Sequence, residues 1–132
     1  MTLIVRHIKP LMLVSGALTT TMLYAAIAPA AALESTFGES LSGPLAETIV
    51  RNWGVLIALV GLMLLNGAFN PATRRLALMA ASISKVAFIA LVLSNGWRYL
   101  AHGAGTAVAV DAVMVALFTA YLFATRQEYS RA

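Results

Sequence analysis

A chain of 132 residues that is 61% hydrophobic, 11% charged and +4 in net charge cannot hide its apolar surface in a water-soluble fold, where roughly 25% of residues are charged. With no cysteine, disulfides, thiol catalysis and cysteine-ligated metals are excluded. The cations stand at the ends of apolar runs, not among aromatics on one basic face, so the expected partner is the lipid bilayer and not nucleic acid.

The first apolar run covers residues 11–33. Arg6 and Lys9 before it and the small residues Ala28–Ala32 also fit a secretory signal, but a run followed by three more is read here as a spanning helix. Pro29 is expected to end or kink it, because proline donates no amide hydrogen and clashes with the preceding turn. A loop with Glu34, Glu39 and Glu47 follows, marked by Gly38, Gly43 and Pro44. The second run, 49–69, is joined through an Asn70–Arg75 turn to the third, 76–93. A glycine-bearing loop, 95–105, then leads to the fourth run, 106–124. Each run is near the ~20 residues an α-helix needs to cross ~30 Å of hydrocarbon. The fold expected is all-α: an integral membrane antiparallel four-helix bundle, one domain over residues 1–132.

Six of the nine cations, Arg6, Lys9, Arg74, Arg75, Arg126 and Arg131, fall on one side of this topology. By the positive-inside rule that side, with both termini, is cytoplasmic. Small residues let backbones approach where lipid offers no hydrophobic drive between helices. The stripes Gly54, Ala58, Gly61, then Ala77, Ala81, Ser84, then Ala109, Ala112, Ala116, Ala120 are therefore expected at helix contacts.

Two charges lie inside the spans, Lys85 and Asp111, and each costs ~2.5–3.5 kcal/mol there on the insertion scale. Lys85 lies ten residues before Asn95, about 15 Å. Asp111 lies five residues after Thr106, about 8 Å. A lysine stem reaching outward can close that difference in depth, so a Lys85–Asp111 pair or a water-bridged contact is expected. Glu47, Arg51 and Asn52 at the mouth of the second helix, with Asn95 and Arg98 after the third, would complete a polar funnel. Glu47 and Arg51 are four apart and neighbours on one helical face.

His7 and His102 lie outside the runs without a second ligand at helical spacing, so no metal or haem role is expected. Trp53, Trp97, Tyr99, Tyr24 and Tyr121 read as interfacial anchors. Ser15, Thr19, Thr20 and Thr21 are expected to bond their own backbone or a neighbouring helix. No phosphate loop, His-Glu metal motif or nucleophile elbow occurs, so no cofactor is expected.

Through Arg51-Asn52-Trp53-Gly54, Ser84-Lys85 and Val110-Asp111 the chain resembles small four-helix bacterial membrane proteins of DoxX-like layout. The resemblance spans the whole chain as an architecture and implies the fold and a bacterial inner-membrane location. It carries over no catalytic residue, and it supports treating Arg51, Lys85 and Asp111 as one set. The leading functional expectation is a non-enzymatic protein that binds a small or lipid-like ligand, an amphiphile or anion, in an outward-facing pocket of Arg51, Lys85, Asp111, Asn52, Glu47 and Arg98. The alternatives are an accessory subunit of a larger membrane complex and a proton-coupled transporter acting as a homo-oligomer.

Overall fold

A computed structural model describes residues 2–126. Among these, all regular structure is helical: α1 (Thr2–Arg6), α2 (Ile8–Thr20), a 3₁₀ turn (Thr21–Leu23), α3 (Tyr24–Ile27), α4 (Pro29–Phe37), α5 (Pro44–Phe69), α6 (Pro71–Leu93) and α7 (Gly103–Ala124). Four stretches are long and apolar enough to cross a membrane: Ile8–Ile27, Pro44–Phe69, Pro71–Leu93 and Gly103–Ala124.

The ends of the first span and of α4, and the starts of α5 and α6, depart from the hydropathy reading for reasons of local backbone chemistry. Proline at the first helical position opens α4, α5 and α6, where its missing N–H is one that the helix would leave unsatisfied anyway. The Asn70 side chain accepts from the Ala72 amide at 3.2 Å, so the expected six-residue turn shrinks to Asn70 and its neighbours. Ala28, at φ −132° and ψ 73°, has been driven out of the helical region by the ring of Pro29. The first span therefore stops at Ile27, and the rest of the first run, with part of the expected loop, becomes the separate helix α4. That helix ends on Gly38 at φ 74°, a left-handed closure that glycine adopts without a Cβ clash. Within the first span Thr20 Oγ1 donates to Gly16 O at 2.6 Å and Thr21 Oγ1 donates to Leu18 O. Such back-bonding competes with the helical ladder, and the 3₁₀ turn starts at this point.

α2 and α3 lie along α5 at backbone distance. A Cβ on Gly61 would stand 2.5 Å from Thr20 N and 2.8 Å from Gly16 O, and one on Gly54 would stand 2.8 Å from Ala26 N. Near the α5–α6 turn, Ile8, Met12, Leu64, Ala68, Ala77, Leu78, Ala81 and Phe118 form the main core. Ala25, Ala32, Leu33 and Val50, with Phe37 and Trp53 against them, form a second core beneath α4 at the opposite end.

The end nearer the main core is basic. Lys9 Nζ lies 4.7 Å from the Phe69 ring centroid. Arg74 donates to Gly67 O at 2.9 Å and Ala68 O at 2.8 Å, closing carbonyls at the end of α5. Arg75 Nη1 donates to Leu122 O at 3.2 Å. Arg131 lies outside the described residues.

The small-residue stripes divide. Gly54, Ala58, Gly61, Ala77 and Ala81 are buried as expected, but Ala109, Ala112 and Ala116 are exposed. α7 instead packs through Ala104 and Phe118 and turns Ala109, Ala112 and Ala116 outward, with Ala120 partly buried.

Candidate functional site

The corrected helix ends put three polar residues at one level. Lys85 lies eight residues before Leu93, Asp111 eight after Gly103 and Thr19 eight before Ile27, each about 12 Å from the end of its span that faces α4. The lysine needs no outward reach. Its ammonium donates directly to Asp111 Oδ1 at 2.7 Å and to Thr19 Oγ1 at 3.4 Å. The side chains are only 10% and 18% exposed, so this is a largely desolvated ion pair whose opposite charges meet in one contact.

Beside the pair is a cavity of about 540 Å³ between α2, α5, α6 and α7, with Ser35 and Thr36 of α4 at its edge. Its walls are mainly apolar: Leu18, Met22, Trp53, Ile57, Val60, Phe88, Val110 and Met114, with Lys85, Asp111, Ser15, Thr19, Ser84 and Thr106 as polar points. That volume falls within the range of small-molecule sites, roughly 300–1,000 Å³. Ser15 is 2% exposed and its hydroxyl has no partner. Ser82 Oγ is also buried without one, but Ser82 lies outside the cavity wall.

The other residues of the expected funnel do not line this cavity. Arg51 Nη1 donates to Ala26 O and not to Glu47. Ala26 is in the last turn of α3, where the break at Ala28 leaves carbonyls without helical partners, so the guanidinium serves as a cap. Glu47 and Asn52 are exposed on α5. Arg98 is engaged with Glu39 in an exposed ion pair. The hydrogen bond and charge of Glu39 hold its guanidinium above its ordinary value. Asn95 donates to Leu91 O at 2.9 Å, within its own helix end.

Thr19 bonds a neighbouring helix, as one branch of the expectation allowed, by accepting from Lys85. Three features were missed by the sequence reading. Ser15, one helical turn from Thr19, bonds neither its own backbone nor another helix and faces the cavity. Trp53 is half-buried in the cavity wall and Tyr99 packs edge-on to Phe37 at 5.2 Å, so neither is a simple interfacial anchor, whereas Trp97 is 86% exposed. Lastly, α4 covers one end of the cavity. It is held by Phe37 against Trp53 at 6.1 Å and against Tyr99, by Gly103 under Ser35 O, and by His102 over Gly38.

The attachment of α4 yields a test. Phe37→Ala removes two aromatic contacts, each worth roughly 0.5–1.5 kcal/mol beyond burial. Amide exchange within α4 is expected to rise about tenfold or more while that of α6 stays unchanged. Arg98→Ala, which removes only an exposed ion pair, should move it far less. Equal exchange in all three proteins would mean that α4 is held by something else.

No family model, curated protein or solved structure matches this chain.

Proposed function

We propose that the protein is a multi-pass bacterial inner-membrane protein that binds a small lipophilic ligand in the cavity beside Lys85 and Asp111. Its layout is a DoxX-like antiparallel four-helix bundle with both termini cytoplasmic. The pairing of Gly16 with Gly61 and of Gly54 with Ala25 supports the antiparallel arrangement. The gathering of Lys9, Arg74 and Arg75 at one end supports that end as the cytoplasmic one. The cavity is then in the outward half.

The observation that carries the binding reading is the coexistence of a satisfied ion pair and unfilled space. A pair that served only to fix helix register would be expected in a packed interior, as the main core is packed. Here Lys85 and Asp111 border about 540 Å³. Arg51, the second cation of an anion site, is committed to Ala26 O, which favours an apolar ligand over an anion. The packed core around Phe118, Leu64 and Leu78 closes the basic end, which favours a one-sided pocket over a transport path. The outward alanines of α7 favour a second reading, docking of that face on a larger complex.

Native mass spectrometry of the protein released from lipid nanodiscs tests the first reading. A bound small molecule is expected on the wild type and not on Ala107→Phe, which fills the cavity while leaving the melting temperature close to wild type. A wild-type spectrum free of small-molecule adducts, with a protein subunit attached, would support the second reading instead.

A further inference from the structure

We infer that the ligand of this cavity carries no net charge and ends in a hydroxyl or carbonyl group held between the Lys85 ammonium and the Ser15 hydroxyl. The inference rests on the cavity-binding reading above and adds the chemistry of the ligand's polar end.

Charge decides the first half. Lys85 and Asp111 touch at 2.7 Å, so the polar floor of the cavity sums to zero. An anion placed against Lys85 would also stand beside the Asp111 carboxylate, and a cation would meet the reverse. Either would bring an uncompensated charge into a low-dielectric site, where an unpaired buried charge is strongly destabilising. The route of entry agrees. Leu18, Thr106 and Val110 line the cavity and also reach the surface. They lie on α2 and α7, inside two of the apolar spans, so the opening faces the bilayer, from which an uncharged lipophile can partition.

The free hydrogen-bonding groups decide the second half. An ammonium has three N–H donors, and Lys85 directs two of them, to Asp111 and Thr19. The third is unassigned. Ser15 lines the same cavity, is 2% exposed and has no partner for its hydroxyl. A buried hydroxyl left unsatisfied keeps its full desolvation penalty, so a ligand acceptor that meets it recovers that loss. Thr19, which accepts from the ammonium, is one turn from Ser15, roughly 5.4 Å along α2, which places the Lys85 and Ser15 donors at one end of the cavity. A carbonyl oxygen can accept from both at once, and a hydroxyl can also donate to a carboxylate oxygen of Asp111. The rest of the wall is apolar and suits a hydrocarbon body.

The test uses the full chain in nanodiscs with Trp97→Phe, which leaves Trp53, in the cavity wall, as the remaining tryptophan of the two. Three bromine-tailed probes of equal chain length differ in the head alone: bromoundecanol, bromoundecyl sulfonate and bromoundecyl trimethylammonium. Saturable quenching of Trp53 is expected with the alcohol at lower mole fraction than with either charged probe. Ser15→Ala, which deletes a hydroxyl that no protein group uses, should fold normally and weaken the alcohol about fivefold. Charged probes that match or exceed the alcohol would overturn the inference about the head and leave the cavity reading standing. The absence of saturable quenching with every probe would overturn both.

Discussion

Lys85→Met is expected to destabilise the protein by about 3–5 kcal/mol, the usual cost of stranding one member of a buried ion pair. Methionine matches the lysine stem in length and replaces its apolar contacts, so the loss isolates the charge. Asp111, 18% exposed, would be left inside a span, about 12 Å from its nearer end, with no cation in contact. Asp111→Asn should cost less, because Lys85 keeps Thr19 as an acceptor and gains the asparagine carbonyl oxygen. The double variant Lys85→Met with Asp111→Leu should recover most of the loss, since replacing both charges with apolar groups removes the desolvation cost as well as the attraction. Unfolding in mixed micelles with increasing SDS measures all four proteins. A single variant as stable as wild type, or a double variant worse than Lys85→Met, would mean that the contact does not hold α6 to α7. Because the double variant also loses the free ammonium donor, it should fold yet bind ligand poorly, which separates stability from binding.

The pair was legible because charges are conspicuous in apolar runs, and two of them had to find each other. Their depths were misjudged for a specific reason. Hydropathy locates the apolar core of a span and not the helix ends: α6 stops at Leu93, two residues short of the Asn95 from which Lys85 was measured, and α7 begins at Gly103, three residues before the Thr106 from which Asp111 was measured. With those ends, Lys85 and Asp111 become level and the contact is direct. The grouping of Arg51 with Lys85 failed differently. Sequence put both near one end of the fold, but the partner of Arg51 is a carbonyl freed by the break at Ala28, and no side-chain pattern announces a backbone acceptor. Arg98 likewise found Glu39 because α4 brings the Gly38–Gly43 connection over to the α6–α7 loop, and α4 itself was hidden within what read as the first span. Ser15 and Thr19 carried a signal, two hydroxyls four apart in an apolar helix, which admitted backbone bonding equally well. A pocket beside Lys85 and Asp111 was inferred from the polar residues, but its size and its mainly apolar wall had no signal, since they depend on how four helices pack together.

Gly61→Leu is expected to cost about 3 kcal/mol or more, whereas Ala109→Leu should leave stability unchanged. In the sequence the two positions look alike, each a small residue in a stripe at helical spacing. Gly61 faces backbone: a Cβ there meets Thr20 N at 2.5 Å and Gly16 O at 2.8 Å, atoms that move only if α2 moves as a whole. Even Gly61→Ala, which improves helix propensity by about 1 kcal/mol, should be a net loss, because overpacking a close contact costs typically 1–3 kcal/mol and here the opposing atoms are not flexible side-chain ends. Leucine adds three more carbons to the same gap. Ala109 is exposed on α7, where a leucine would extend into lipid tails as apolar as itself and lose no contact. Displacement of α2 also moves Thr19 and Ser15, so Gly61→Leu should abolish quenching of Trp53 by bromoundecanol along with the stability. If Ala109→Leu proved as damaging as Gly61→Leu, the outward face of α7 would have to be an occupied interface in the membrane, and the alanine stripe a contact after all, made with another chain and not within this one.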